Sequence, residues 1–120
     1  MAGPSRITQP YWTPIARIVQ LIGSLVPAGG RVLEIGPGNT PFPQATEFVD
    51  WQVSPHLEGR PVHVLDLNQD KLPFADKSFD FVYCRHTLED IYNPIGVCRE
   101  IDRIAKAGYI ETPSPLAECC

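Results

Sequence analysis

The order of apolar runs and glycine-proline breaks predicts an α/β fold, an open parallel sheet of about five short strands flanked by helices. Two observations carry this. Runs such as "RVLEI" and "FDFVYC" are continuously apolar rather than alternating, the pattern of strands covered on both faces. The segments "TPIARIVQLIGSLVP" and "NPIGVCREIDRIAKAG" instead repeat apolar residues at helical spacing, so each offers one face to a sheet.

The first helix is expected to start at Thr13 as N-cap with Pro14 at the first helical position, where a missing N–H costs nothing. Ile15, Ile18, Val19, Ile22 and Leu25 form its apolar face. Strands are expected over Arg31–Ile35, Glu47–Trp51, Val62–Asp66, Phe79–Cys84 and Tyr109–Thr112. Between the last two lies a second helix, capped by Asn93, opened by Pro94 and ended near Lys106 and Gly108. Its stripe is Ile95, Cys98, Ile101, Ile104 and Ala105, with Asp102 and Lys106 placed to pair four residues apart. Two crossovers are clipped. Pro37 to Thr46 holds one helical turn at most because of Pro41 and Pro43, and Ser54 to Pro61 is as short, so cover on one side of the sheet should be thin.

Composition narrows the function classes. The chain has 120 residues and a net charge of −4, with its lysines and arginines scattered singly. No basic stripe of the kind that tracks a phosphate backbone is present, so nucleic acid is not indicated. The apolar runs fall far short of the roughly 20 residues that a membrane span needs, and the start "MAGPSRITQPYW" lacks a signal-peptide centre, which makes the cytoplasm the default. Cys84, Cys98, Cys119 and Cys120 make no C-x-x-C pair and read as reduced, structural thiols. Residues 1–120 read as one domain with a flexible start over 1–10.

Ligands of open parallel sheets bind beyond the carboxyl ends of the strands. Gly36, Pro37 and Gly38 close the first strand in a turn that lets a ligand approach bare backbone; Asp50 ends the second strand and Asp66 the third, and Cys84, Arg85 and His86 follow the fourth. Asp50 can accept two hydrogen bonds from a ribose diol, and Asp66 with a backbone N–H can read an adenine edge. The sixth position of G-x-G-x-x-G, where a dinucleotide site wants glycine, is Pro41, which argues for an adenosine cofactor without a diphosphate. Glu34 inside an apolar strand is costly as mere packing. The bland readings are polar strand ends for Asp50 and Asp66, an ordinary loop histidine for His86, a surface charge for Arg85, and structural or exposed roles for His56 and His63. His86 and Asp90, four apart, have no further metal ligand nearby, so no metal site is expected. "LEDIYNP" either presents Ile91 and Tyr92 to a partner or seats the following helix, the second being the simpler reading.

"VLEIGPG", "FVDW", "VLDLNQDKLPFADKSFDFVYCRHTLEDI" and "REIDRIAKAGYIETPSP" together resemble the class I S-adenosylmethionine-dependent methyltransferases of the LPF-x-D-x-SFD type, over about Arg31 to Pro115. The resemblance implies a Rossmann-like sheet in the order 3-2-1-4-5. It places Glu34 under the glycine turn near the methionine ammonium, with Gly36, Pro37 and Gly38 along the amino-acid portion. Asp50 would hold the ribose, Trp51 cover the adenine, and Asp66 with the Leu67 N–H take the adenine edge. Cys84 and His86 would lie near the transferred methyl. The cofactor is then S-adenosylmethionine and its product S-adenosylhomocysteine, with an unidentified small or macromolecular methyl acceptor; no catalytic side chain is singled out. Asn39 departs from the third glycine usual in the family, and the last two family strands are expected to be missing after "SPLAECC". The exposed edge would then call for a homo-oligomer, a partner chain or a longer polypeptide. A non-catalytic, methyltransferase-like interaction module is the alternative; a nicotinamide-dependent oxidoreductase is disfavoured by Pro41.

Overall fold

The computed structural model describes residues 15–68 and 71–112. Its order is α1 (Ala16–Ser24), β1 (Val32–Ile35), β2 (Glu47–Asp50), β3 (Val62–Val64), β4 (Phe81–Arg85), α2 (Pro94–Ile104) and β5 (Gly108–Glu111), with short 3-10 turns at Pro55–Leu57 and Leu88–Asp90. The five strands form one all-parallel sheet in the order β3-β2-β1-β4-β5. Strand order reverses at β1, so the ends of β1, β2 and β4 meet at the point where such sheets bind ligands.

Side chains alternate across the sheet, and each face has its own apolar cluster. Leu33, Ile35, Val49, Val82 and Cys84 pack with Phe79, Val97, Ile101 and Ile104 on the α2 side. Val32, Phe48, Phe81 and Tyr83 pack with Ile22, Phe42, Ala45 and Leu57 on the α1 side. All four residues of β1 are buried, as a continuous apolar run requires.

Both helices present a somewhat different face from the one their spacing suggests. In α1 the contacts come from Ile18, Val19 and Ile22, while Ile15 and Leu25 are exposed at the two ends, beyond the sheet they were expected to cover. Ile15 occupies the N-cap without a side-chain bond; Thr13 and Pro14 lie outside the described residues. In α2 Asn93 caps through Oδ1, which accepts the Gly96 N–H at 3.0 Å, and Pro94 sits in the first turn as expected. Its buried stripe centres on Val97, Ile101 and Ile104, whereas Ile95, about 180° around the helix from Ile104, stays exposed. The helix stops at Ile104, so Gly108 is the first residue of β5 rather than a helix exit, and a Cβ there would meet the Val82 carbonyl at 2.9 Å. Lys106, past the helix end, pairs with Asp80 at 3.4 Å instead of Asp102.

"LPFADKSF" is bound to α2 by its backbone. The Arg103 guanidinium donates to the Leu72 and Phe74 carbonyls at 3.0 and 2.7 Å and pairs with Asp76 and Glu100. Lys77 Nζ reaches the carbonyls of Asp102 and Ala105 at the helix end, where orphan acceptors collect. The most recognisable stretch of the sequence therefore seats α2 at a distance from the strand ends.

The β1–β2 crossover has no helix, and charged side chains replace one. Glu34, which shares the α1 face with Val32, accepts the Phe42 N–H at 2.6 Å on Oε1. Arg60 donates to the carbonyls of Phe42, Pro43 and Ala45 at 3.3, 3.4 and 2.9 Å, and lies over the Phe48 ring. The Phe42 ring stacks on Tyr83 with centroids 4.2 Å apart, covering sheet that a crossover helix would otherwise shield. This is the thin cover the clipped crossovers foretold.

Candidate functional site

Beyond the carboxyl ends of β1, β2, β3 and β4 lies an open cavity of about 710 Å³. Of the ten residues that the sequence nominates, Gly36, Gly38, Asp50, Trp51, Asp66, Leu67 and His86 line it; Glu34, Pro37 and Cys84 do not. Asn39, Asn68, Thr87, Asp90 and Ile91, none of them nominated, complete much of the wall.

Gly36 and Gly38 serve different ends. Both have left-handed backbones, with φ of 65° and 59°. A Cβ on Gly36 would lie 2.3 Å from Thr87 Oγ1, so this glycine admits the turn after β4, not only a ligand. A Cβ on Gly38 would meet nothing within 4 Å, so the backbone there stands bare beside open space. Pro37, between them, is buried behind the wall. The Gly36 N–H is donated to the Val49 carbonyl at 2.9 Å, joining the turn to β2.

Asp50 is the last residue of β2, half-buried, with Oδ1 accepting the Trp51 N–H at 2.8 Å. Burial pushes its pKa up, partly offset by that bond. Trp51 follows with 73% of its surface exposed at the cavity rim. Asp66 falls two residues after β3, which ends at Val64 rather than at the acid; its Oδ1 accepts the Asn68 N–H at 2.9 Å. Asn68 Oδ1 in turn accepts the Tyr92 N–H at 2.8 Å, fastening the loop after β3 to the segment holding Asp90 and Ile91. Ile91 packs on the α2-side core while Tyr92 is exposed.

Glu34 is 2% exposed and stands behind the cavity, on the α1 face, holding the crossover at Phe42. Burial drives its pKa up to about 7, against the Phe42 bond and the attraction of Arg60 and Arg85. Cys84 and Arg85 belong to β4 itself rather than following it. Alternation turns Cys84 into the α2-side core, where burial pushes its thiol up to about 12 and leaves it a packing residue. Arg85 pairs with Glu111 at 2.9 Å. His63 pairs with Glu47 at the opposite end of the sheet and touches Phe74 edge-on.

The charge on the wall is one-sided. Asp50, Asp66 and Asp90 line the cavity with His86, and among the described residues no lysine or arginine lines it. Such a field favours a cationic ligand and opposes a diphosphate. The bare Gly38 backbone, two carboxylates at neighbouring strand ends and a rim aromatic fit an adenosine-containing, positively charged cofactor. Among the described residues no group of three His, Cys, Asp or Glu side chains is placed to hold a metal.

An all-parallel sheet in this order, with a glycine turn after β1, defines a Rossmann-like fold. The methyltransferase domain family matches residues 33–110, and the chain belongs to that family, the class I S-adenosylmethionine-dependent methyltransferases. Among curated proteins it is similar to the bifunctional methionine biosynthesis protein MetXA/MetW of Rhodopirellula baltica, 28% identical over 110 residues and covering 75% of this chain. Among solved structures it is similar to a SAM-dependent methyltransferase of Thermotoga maritima, described as a possible histamine N-methyltransferase. That match has a TM-score of 0.56, 29% identity and 77% coverage of this chain. A SAM-dependent methyltransferase of Aquifex aeolicus shares the fold at a TM-score of 0.53 and 21% identity, over 88% of this chain and 69% of its own. The chain spans 18% of the bifunctional protein and 47% of the Thermotoga chain.

Proposed function

We propose that the cavity binds S-adenosylmethionine and that the chain transfers its methyl group to an acceptor presented at the cavity mouth. The observation that carries this reading is the placement of Asp50 and Asp66 on one wall with the bare Gly38 backbone, in a cavity whose charged lining is acidic. Asp50 would accept both ribose hydroxyls, Trp51 would lie against the adenine face, and Asp66 with the Leu67 N–H would take the adenine edge. Glu34 supports the site from behind, by holding the crossover that carries Asn39. His86 and Thr87 bound the side nearest β4. Bound S-adenosylmethionine supplies an electrophilic methyl on a sulfonium leaving group, so the chain's contribution is alignment of the acceptor and exclusion of water rather than a covalent nucleophile.

Titration calorimetry with S-adenosylhomocysteine and with NAD tests the cofactor. The homocysteine product should bind wild type and bind Asp50→Ala at least about tenfold more weakly, as expected for a lost charged hydrogen-bond acceptor. Binding of NAD instead would overturn the assignment. Incubation of methyl-labelled cofactor with acceptor extracts then tests transfer; cofactor binding without transfer to any fraction would favour an interaction module.

A further inference from the structure

The end of β5 carries a cluster that the cofactor reading leaves unused. Glu111, the last residue of β5, gathers three side-chain donors on one carboxylate. Arg85 Nε lies 2.9 Å and His86 Nε2 2.7 Å from Oε2, and the Tyr109 hydroxyl donates to Oε1. The Glu111 carbonyl also accepts the His86 N–H at 2.7 Å. Burial alone would raise the pKa of this acid, but the bonds from Tyr109, Arg85 and His86 outweigh it and hold the group below the usual carboxylate range. An ionised carboxylate only accepts, so His86 Nε2 donates here.

These bonds converge on a strained turn. His86 has φ of 52°, the left-handed region that a histidine enters at a cost. With His86 so bent, both it and Thr87 reach the cavity wall, and Thr87 Oγ1 takes the space over Gly36. Thr87 Oγ1 also donates to the Arg85 carbonyl at 3.1 Å, closing the turn on itself. Glu111 is not among the lining residues, yet it grips the turn by side chain and by backbone. The other carboxylate near the ring, Glu89, stands farther away, 3.7 Å from Nδ1.

We propose that Glu111 is a positioning residue: it clamps the turn from Arg85 to Thr87 in its left-handed conformation, so that ligand affinity in the cavity depends on a carboxylate outside its wall. The clamp couples the β5 end to the glycine turn after β1 through Arg85–His86–Thr87 and Gly36. The inference rests on the cofactor reading above, and it adds to that reading a residue on a different strand.

The test compares wild type with Glu111→Gln. S-adenosylhomocysteine is titrated into each, and circular dichroism confirms the fold. Glutamine keeps the shape but cannot accept three charged or polar donors, so affinity should fall about tenfold, within the usual range for residues that act on a site through others. Peptide hydrogen exchange over residues 85–90 should accelerate in Glu111→Gln, because the turn loses the carboxylate that holds it. Unchanged affinity in Glu111→Gln overturns the proposal, and so does a loss of affinity without faster exchange over residues 85–90. If wild type itself takes up no S-adenosylhomocysteine, the cofactor reading has failed. The clamp is then judged by peptide hydrogen exchange over residues 85–90, which should accelerate in Glu111→Gln and would contradict the clamp if unchanged.

Discussion

Thr87 Oγ1 stands where a side chain on Gly36 would be, 2.3 Å from the position of a Cβ. Two turns from different strands thus share one volume at the switch point of the sheet. The glycine is required by its neighbour as well as by its own φ of 65°. Gly36→Ala should therefore lower folding stability by about 2–4 kcal/mol, from backbone strain plus displacement of Thr87. Gly38→Ala meets no neighbour and should cost about 1 kcal/mol for its left-handed backbone. The added methyl would nevertheless stand in the cavity, so S-adenosylhomocysteine binding should suffer in both variants while urea unfolding separates them. Equal loss of stability in the two would contradict this division.

Glu34 gives the fold a pH dependence of definite sign. Its pKa rises on folding from the ordinary 4.5 to about 7, chiefly through burial. The folded state thus holds this proton more tightly than the unfolded chain. The stabilising contribution is full below about pH 4.5 and is lost as pH rises through about 7, by roughly 3 kcal/mol in all. The raised pKa of Asp50 acts in the same direction. Glu34→Gln retains an oxygen for the Phe42 N–H and cannot ionise, so its stability should change less between pH 5 and 8. Urea unfolding across that range measures both slopes; parallel curves would mean that Glu34 does not titrate in this window.

Arg60 does the work of the absent crossover helix. Three carbonyls that a helix would have satisfied accept from one guanidinium nitrogen, and its Nε donates to the Leu57 carbonyl at 3.2 Å. Arg60→Ala should destabilise by about 2–3 kcal/mol, the scale of several unmet partly buried acceptors. Arg60→Lys should recover little, because a point-like ammonium cannot span the same carbonyls and loses the guanidinium placed over the Phe48 ring. Thermal melts of the three proteins decide this, and a lysine variant as stable as wild type would show that charge alone suffices.

The sheet was legible because burial on both faces leaves an unmistakable mark: "VLEI" and "FVYC" have no room for polar residues except where a partner waits. The place of the cavity was legible for the same reason, since strand ends follow from strands, and Asp50, Asp66 and the two glycines line it. Cys84 was misleading because the pattern of a doubly covered strand hides which face each residue takes; one step of alternation sends it into the core. Leu25 fits the helical period, but period alone does not say where the sheet stops beneath the helix; Ile95 lies about 180° around the helix from Ile104, off the buried stripe. Asn68, Thr87 and Glu111 carry no motif, and their bonds join segments far apart in sequence. Asn68, two residues after Asp66, was the one clue available, as a residue type that favours turns and bonds nearby backbone.

Trp51 is the residue whose surroundings should change most on ligand binding. It is 73% exposed on the cavity rim, directly after the half-buried Asp50, and burial of so large a ring must await something that covers it. An adenine stacked there would gain about 1–3 kcal/mol, the range seen for bases on aromatic side chains. Trp51→Ala should then weaken S-adenosylhomocysteine by about tenfold or more while shifting stability by no more than about 0.5 kcal/mol, as for other exposed positions. In wild type the emission component that disappears in Trp51→Phe should become shielded from acrylamide when S-adenosylhomocysteine is added. If that component stays fully quenchable in a saturated complex, the adenine does not lie against Trp51, and the base must be held by the Asp66 and Leu67 side of the cavity alone.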